Sequence, residues 1–439
     1  MIDGIHIYMK QIFYMIIRFF LKIAIYCYYG VLSVRDNIQT KKYTDVRIKK
    51  DFIGGRVILL ALYEKTSLRN DTLELLKEAK RNNIFVIAVN TLKLEQVNIP
   101  TELADVYIER DNYGRDFGSY KVGMQYFFEN RLQEKCERLL IINDSVFFSK
   151  KGLANFVKNL FETNIEVLGA TENSQHSHHL GSFCVCVAGK ITRNDKFKKF
   201  WSDYKVSNVR PLVIKRGEFG LSKLLKSLVS SEQEFKSLFN VSFMESKFRK
   251  DQEFYKNYHY YRREGVRGWA NPSITGFLAG DEMLSSYYNE YLIQDDVPPE
   301  PVFSGKVNVI SEVSNKDTLI QSTEKVDYLK AVNFFRNYSN SEIFLDKQFK
   351  QRVIALYLDE FTMGSQIHIN CLALHHVGLP IIKLDLMFRC VCSMNDIIKL
   401  RDQLDESQQE EFMTLILARL SGDKFLVGLN RLAHQFGIL

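Results

Sequence analysis

The stretch DNYGRDFGSYKVG, residues 111–123, combines three glycines, two acids, an arginine and a lysine just ahead of a helical pattern. Gly114 and Gly118 would let backbone approach a ligand closely, and amides at a helix start suit an anion. Arg115 and Lys121 can balance a diphosphate, and Asp116 can accept hydrogen bonds from a sugar or a base. The stretch is neither a Walker loop nor a GxGxxG fingerprint. The plainer alternative is a glycine-rich helix entry with solvated charges. In IINDS, 141–145, an apolar run ends in Asn143-Asp144-Ser145. A carboxylate at a strand end can hold a divalent cation against a diphosphate or bond a ribose, though the same residues also build ordinary turns. GEFG, 217–220, sets Glu218 between two glycines before a helical run. It is either a general base for an acceptor hydroxyl or an acid favoured by the helix dipole.

Two further stretches carry polar groups. His176, His178 and His179 precede a strand-like run, but their spacing matches no zinc motif; they read as a polar lip to a cleft, with one histidine on substrate. YHYYRREGVRGW, 258–269, interleaves aromatic and basic residues, as an acceptor groove, a membrane contact or a basic surface loop would.

The elements that must position these groups alternate. RVILLALY, NIFVIAVN, ADVYIER and RLLIIND are apolar runs of strand length, followed by EVLGATE and GSFCVCVAG. Between them TLELLKEAKRN, SYKVGMQYFFENRL and LANFVKNLFE have helical periodicity, the first with Asp71 as N-cap and Glu74 in capping-box spacing. Strands separated by helices predict an α/β fold, a mainly parallel sheet flanked by helices. Ligands of such sheets bind beyond the carboxyl ends of the strands, which selects the loops at 64–70, 111–118 and 143–145. Residues 295–305 are acidic and proline-rich, like a linker, and helical periodicity dominates after them. The expected division is therefore 1–40, 41–290 and a mostly helical 291–439.

Composition narrows the class. Hydrophobic residues at 46% and charged residues at 25% argue for a globular protein, not a disordered one. A net charge of +7 suits an anionic ligand or a membrane surface and is too dilute to indicate nucleic acid. Seven cysteines without a scaffold spacing, with Cys184/Cys186 and Cys390/Cys392 as C-x-C pairs, read as core thiols on a reducing, cytosolic side. QIFYMIIRFFLKIAIYCYYGVLSV, 11–34, is long enough to span a bilayer, but Arg18 and Lys22 share one helical face in its middle. It reads either as a helix lying at the membrane interface or as an apolar helix packed on the body.

Taken in order, NYGRDFGSYKVG, IINDS, HHLGSF, GEFGLS and HHVGLPIIKLDLM (375–387) resemble the rhamnan synthesis protein F family. That resemblance implies a GT-A-like, Rossmann-type glycosyltransferase domain of bacterial surface-polysaccharide assembly, and the basic, aromatic N-terminus suits a cytoplasmic protein peripheral at the inner face of the cytoplasmic membrane. It implies that Asn112, Gly114, Arg115, Asp116, Ser119 and Lys121 shape a nucleotide-sugar pocket, together with Gly118, Asn143, Ser145, His179 and Ser182. Asp144 would stand where a D-x-D motif holds Mg²⁺ or Mn²⁺, and Glu218 at the acceptor base. The implied reaction is inverting transfer, for instance of L-rhamnose from dTDP-rhamnose, to a lipid-linked or polysaccharide acceptor. A non-catalytic glycan-binding or assembly subunit and a sugar-phosphate transferase are the rival readings. Two departures stand out: Asn-Asp-Ser offers one carboxylate where two are usual, and Gly181 replaces an expected glutamine, which removes a side chain from the cleft.

Overall fold

The computed structural model describes residues 2–175, 177–265 and 342–439. His176, residues 266–269 of the aromatic–basic stretch and the linker-like segment 295–305 lie outside them. The described chain forms two compact units, 1–240 with 364–439, and 241–363. The C-terminal residues thus return to the first unit.

The first unit is built on an eight-stranded sheet. Its strands are β1 (Thr44–Lys49), β2 (Gly55–Leu62), β3 (Phe85–Asn90), β4 (Val106–Arg110), β5 (Cys136–Asn143), β7 (Val167–Gly169), β10 (Cys184–Ala188) and β11 (Phe235–Ser237). Shorter strands are β6 (Val146–Phe148), β8 (Glu172–Asn173), β9 (His179–Leu180) and β12 (Ile381–Lys383). The sheet order is β1-β4-β3-β2-β5-β10-β7-β11. β4, β3, β2 and β5 run parallel, and almost every residue in them is buried, which is why they read as unbroken apolar runs. Two strands run against them. β1 is an edge strand with mixed polar and apolar residues that gives little signal in sequence. β10 is antiparallel to both β5 and β7. Among the described residues no helix separates β7 from β10, and without a crossover segment successive paired strands must reverse direction.

The parallel strands are joined by α2 (Asn70–Arg81) and α3 (Arg115–Glu129), and α4 (Leu153–Phe161) follows β6. The chain winds from β2 through β3 to β4, then crosses to β5 on the other side of β2. The reversal opens a crevice between the carboxyl ends of β2 and β5, the switch point where open sheets take ligands. α3 lies against the sheet so closely that a Cβ on Gly123 would sit 2.1 Å from Leu59 Cδ1. Phe117, Tyr120, Met124 and Phe127 continue that packing, with Trp201 behind them. Asp71 does not cap α2: the helix begins at Asn70, and the buried Asp71 carboxylate instead accepts from the Phe148 amide at 2.9 Å.

Beyond the sheet, β12 pairs antiparallel with β6, Lys383 opposite Val146, over a helical core containing Phe147, Leu372, Ile382 and Phe412. Cys184 and Cys186 are core thiols in β10; Cys390 and Cys392 are also buried but lie in a loop. The N-terminal helix α1 (Ile2–Gln39) packs on the body along part of its length. Ile25 and Ser33 are buried against the body, whereas Phe13, Phe19, Phe20 and Ile23 are exposed.

In the second unit, Phe248, Phe254 and Tyr258 pack with Tyr357. The buried Arg262 guanidinium grips Glu360 at 2.7 and 2.8 Å. Tyr258 and Arg262 therefore belong to an interior, not to a solvated loop.

Candidate functional site

The carboxyl ends of β2 and β5 carry the first group of acids. Asp144 accepts the Tyr63 amide across the switch point. Burial lifts its carboxyl to about 7 against the pull of Arg69, with Glu64 adding to the rise. Glu64 and Asp71 are each lifted by burial to about 6, with Arg69 opposing. Three buried carboxylates thus share one guanidinium, 3.0 Å from Asp71 and 3.5 Å from Glu64. The residues here fit a divalent cation poorly. Arg69 already supplies the positive charge at Asp144, and no group of three or more potential metal ligands occurs among the described residues.

The glycine-rich stretch is held from inside by a residue not selected from sequence. The buried Arg110, brought down to about 10 by burial, donates to the carbonyls of Asp111, Tyr113 and Arg115 and to Ser119 Oγ. Ser119 is therefore committed to the loop's own frame. Gly118 is required by the same contact, because a Cβ there would lie 2.6 Å from Tyr113 O and 2.8 Å from Arg110. Gly114 takes φ +96° beside Arg115 at φ +52°, a left-handed pair at the entry of α3. The Gly114 amide donates to Asn208. Lys121 donates to the carbonyls of Ser202 and Tyr204, at 2.9 and 2.8 Å, and so closes the end of the helix Asp195–Asp203. Asn112 is exposed. Asp116 does reach the cleft: its Oδ2 accepts from Asn143 Nδ2 at 2.9 Å, and Asn143 Oδ1 in turn accepts from Ser145 Oγ at 2.7 Å. Burial raises the Asp116 carboxyl, with Lys383 opposing most strongly.

Glu218 lies across from this group in a π-helical turn, Ile214–Phe219, inserted between the helices Arg210–Val213 and Gly220–Leu228. Such turns mark functional positions more often than ordinary helix does. Gly217 makes the turn fit, since a Cβ there would meet the Phe117 ring at 2.6 Å. Each carboxylate oxygen of Glu218 has a partner: Oε1 lies 3.0 Å from His179 Nε2, and Oε2 accepts from Ser182 Oγ at 2.7 Å. His179 Nδ1 lies 2.6 Å from Ser177 O. A carbonyl and an ionised carboxylate only accept, so this geometry favours a hydrogen on each ring nitrogen of His179. Burial works against that charge, but Glu218 and Ser177 raise the imidazole overall. Burial likewise works against the Glu218 carboxylate, and His179, Ser182 and Lys383 lower it overall.

Three cations complete the cleft, and sequence reading selected none of them. Lys383, from β12, donates to Ser145 Oγ at 3.2 Å and stands 4.6 Å from the Phe183 ring centre. Arg210 is half-buried, brought to about 10 by burial and by the nearby Arg389, and has no hydrogen-bond or carboxylate partner among the described residues. Arg389 is anchored on Asp385, which His368 also contacts at 3.0 Å. Lys383 was visible in the late motif HHVGLPIIKLDLM, but nothing local ties that motif to IINDS. The Gly181 departure has a structural counterpart: a Cβ there would lie 2.5 Å from the Phe183 ring, so the position is filled by the residue that carries Lys383.

The switch-point crevice of this α/β sheet thus brings carboxylates opposite Lys383, Arg389 and Arg210, of which Arg210 has no hydrogen-bond or carboxylate partner among the described residues. Residues 84–264 match the model of the family described as rhamnan synthesis protein F, which holds every selected site residue from Asn112 to Glu218. Among curated proteins, the chain is 23% identical over 202 residues to the uncharacterized protein y4gN of Sinorhizobium fredii, covering 43% of this chain and 52% of that one. It is 42% identical over 107 residues to the virulence protein VirA of Vibrio anguillarum, covering 24% and 33%. The chain thus spans about half or less of the length of these relatives. Among solved structures, the glycosyltransferase GlyE of Streptococcus pneumoniae aligns at 11% identity and a TM-score of 0.24, covering 46% of this chain and 50% of that one.

Proposed function

We propose that this cleft transfers a sugar from a nucleotide-diphosphate donor to a glycan hydroxyl. The observation that carries the reading is Glu218, fixed at both oxygens in a π-helical turn and facing cationic groups inside the family-matched stretch. The donor diphosphate lies against Arg115 and Arg210. Asp116 and Asn143 face its sugar. Glu218 takes the proton of the acceptor hydroxyl as the acceptor oxygen bonds the anomeric carbon. The anomeric carbon–phosphate oxygen bond breaks on the opposite face, and its electron pair leaves on the diphosphate. The configuration inverts in this single displacement. His179 holds Glu218 in place and passes no proton. The divalent cation expected at Asp144 takes no part in this step, given the poor fit there.

The family suggests a deoxysugar donor such as dTDP-L-rhamnose and a growing, lipid-linked surface polysaccharide as acceptor. Exposed Phe13, Phe19 and Phe20 beside Arg18 and Lys22 support a helix lying on the inner face of the cytoplasmic membrane, aromatics among acyl chains and cations at headgroups. A panel of nucleotide sugars tested by thermal shift reads out the donor, because a ligand of the folded state raises the melting temperature by mass action. A specific donor that shifts the melt and is consumed with acceptor supports transfer. No shift with any donor rejects it.

A second reading rests on one observation. The hydrogen bonds that position Glu218 also lower its basicity, and a general base works best near the operating pH. A glycan-binding assembly subunit would keep the same constellation as a sugar clamp. Glycan binding with no turnover of any donor would select that reading.

A further inference from the structure

Lys383 arrives in the cleft from 238 positions beyond Ser145, carried by the pairing of β12 with β6. An ammonium has three donors. Among the described residues Lys383 uses one of them, on Ser145 Oγ. The carboxylates of Asp116, Glu218 and Asp385 surround it without any forming an ion pair to it among the described residues, and it is only partly exposed. A half-buried ammonium with two unused donors is costly unless another acceptor arrives. The neighbouring acids are already committed to Asn143, to His179 with Ser182, and to His368 with Arg389. One side of the ammonium rests on the Phe183 ring, so its remaining donors are left for an acceptor in the cleft it shares with Asp116 and Glu218, where the scissile bond lies on the reading above.

We infer that Lys383 is the leaving-group cation of the transfer reaction, supplying at the Asn143-Asp144-Ser145 strand end the charge that a divalent metal would otherwise bring. This rests on the glycosyl-transfer reading. As the bond from the anomeric carbon to the phosphate oxygen breaks, the electron pair passes to that oxygen and Lys383 donates a hydrogen bond to it. The acceptor proton goes to Glu218, so Lys383 neither gains nor loses a proton over the step. Fixed donors aimed at developing charge are worth about 10²–10³ in kcat when one is removed. Their weight falls as the leaving group becomes intrinsically better.

The test uses the full chain as wild type, Lys383→Met and Lys383→Arg, each first shown to melt cooperatively. Turnover is measured with the nucleotide donor from the thermal-shift panel and with the same sugar carried on dinitrophenol, an activated leaving group. We expect Lys383→Met to lose about 100-fold or more in kcat on the nucleotide donor. The loss should shrink to less than about tenfold on the dinitrophenyl donor, Lys383→Arg should recover part of it, and EDTA should leave the wild type unchanged. Equal losses on both donors would make Lys383 a structural residue and overturn the inference, as would Lys383→Met turnover close to wild type. EDTA abolishing wild-type turnover, with Mn²⁺ restoring it, would also overturn the inference while leaving glycosyl transfer standing. No wild-type turnover on either donor would remove the transfer reading itself. Should Lys383→Met not fold, the ratio of losses on the two donors is read from Lys383→Arg.

Discussion

Two groups of carboxylates sit a few strands apart, and their environments pull them in opposite directions. At the switch point Glu64, Asp71 and Asp144 share Arg69, and burial wins: all three hold their protons more tightly than free acids. At the π-helical turn, Glu218 alone receives His179 and Ser182, and the partners win: it holds its proton less tightly. The same side-chain chemistry gives acids that hold their protons in one place and a fixed anion in the other. The difference lies in how much positive charge each carboxylate has to itself, since desolvation acts on both: one guanidinium is divided among three acids, whereas Glu218 faces His179 and Lys383.

The comparison can be broken from either side. The largest expected effect is at Glu218: Glu218→Gln keeps the shape and should lose about 10²–10⁴ in kcat while retaining donor binding, read by steady-state kinetics beside calorimetry. Unchanged turnover would make the fixed anion a mere brace. Next, Arg69→Met strands the switch-point acids without their cation and should destabilise by about 3–5 kcal/mol at neutral pH in denaturant titration. The deficit should shrink toward pH 5 as the acids take up protons; a pH-independent deficit would mean that Arg69 acts by packing.

A smaller effect of opposite sign belongs to Asp144. Its folded-state pKa of about 7 lies above the ordinary 3.8, so the folded state binds the proton more tightly and wild-type stability falls as pH rises between those values. Asp144→Asn, which keeps an acceptor for the Tyr63 amide, should therefore melt higher than wild type at pH 8 and level with it near pH 4. A lower melt at pH 8 would show that the carboxylate is needed, for example by a metal ion. For the His179–Glu218 pair the window differs. The raised imidazole contributes stability below its ordinary 6.5 that is lost as pH climbs through the higher folded value, and the lowered carboxyl contributes stability lost in acid. The smallest effect is at Lys121, whose ammonium closes a helix end. Lys121→Ala should cost about 1 kcal/mol or less and leave donor affinity unchanged. A tenfold loss of donor affinity would return it to the diphosphate.

How much of this was legible follows the range of the forces involved. Strands β2 to β5 are buried on both faces, so their apolar runs announced them, and the polar residues ending them announced the ligand edge. The glycine-rich stretch was recognisable, but its polar members divide in a way that composition does not reveal. Asp116 faces the cleft, whereas Ser119 serves Arg110 and Lys121 serves a helix end. The π-helical turn depends on Gly217 meeting Phe117, a contact about a hundred residues long in sequence, and periodicity carries no trace of it. Lys383 and Arg210 were missed for the same reason. Their chemistry comes from neighbours supplied by distant segments, and a lone lysine or arginine in a motif has no local mark of that.

The most direct measurement is sugar transfer at saturating donor by Glu218→Gln, followed in a single turnover beside the wild type. The donor should bind to both proteins, with transfer slowed by at least about a hundredfold in the variant. Transfer at the wild-type rate would contradict the account, because the cleft described here would not then be where the bond is made.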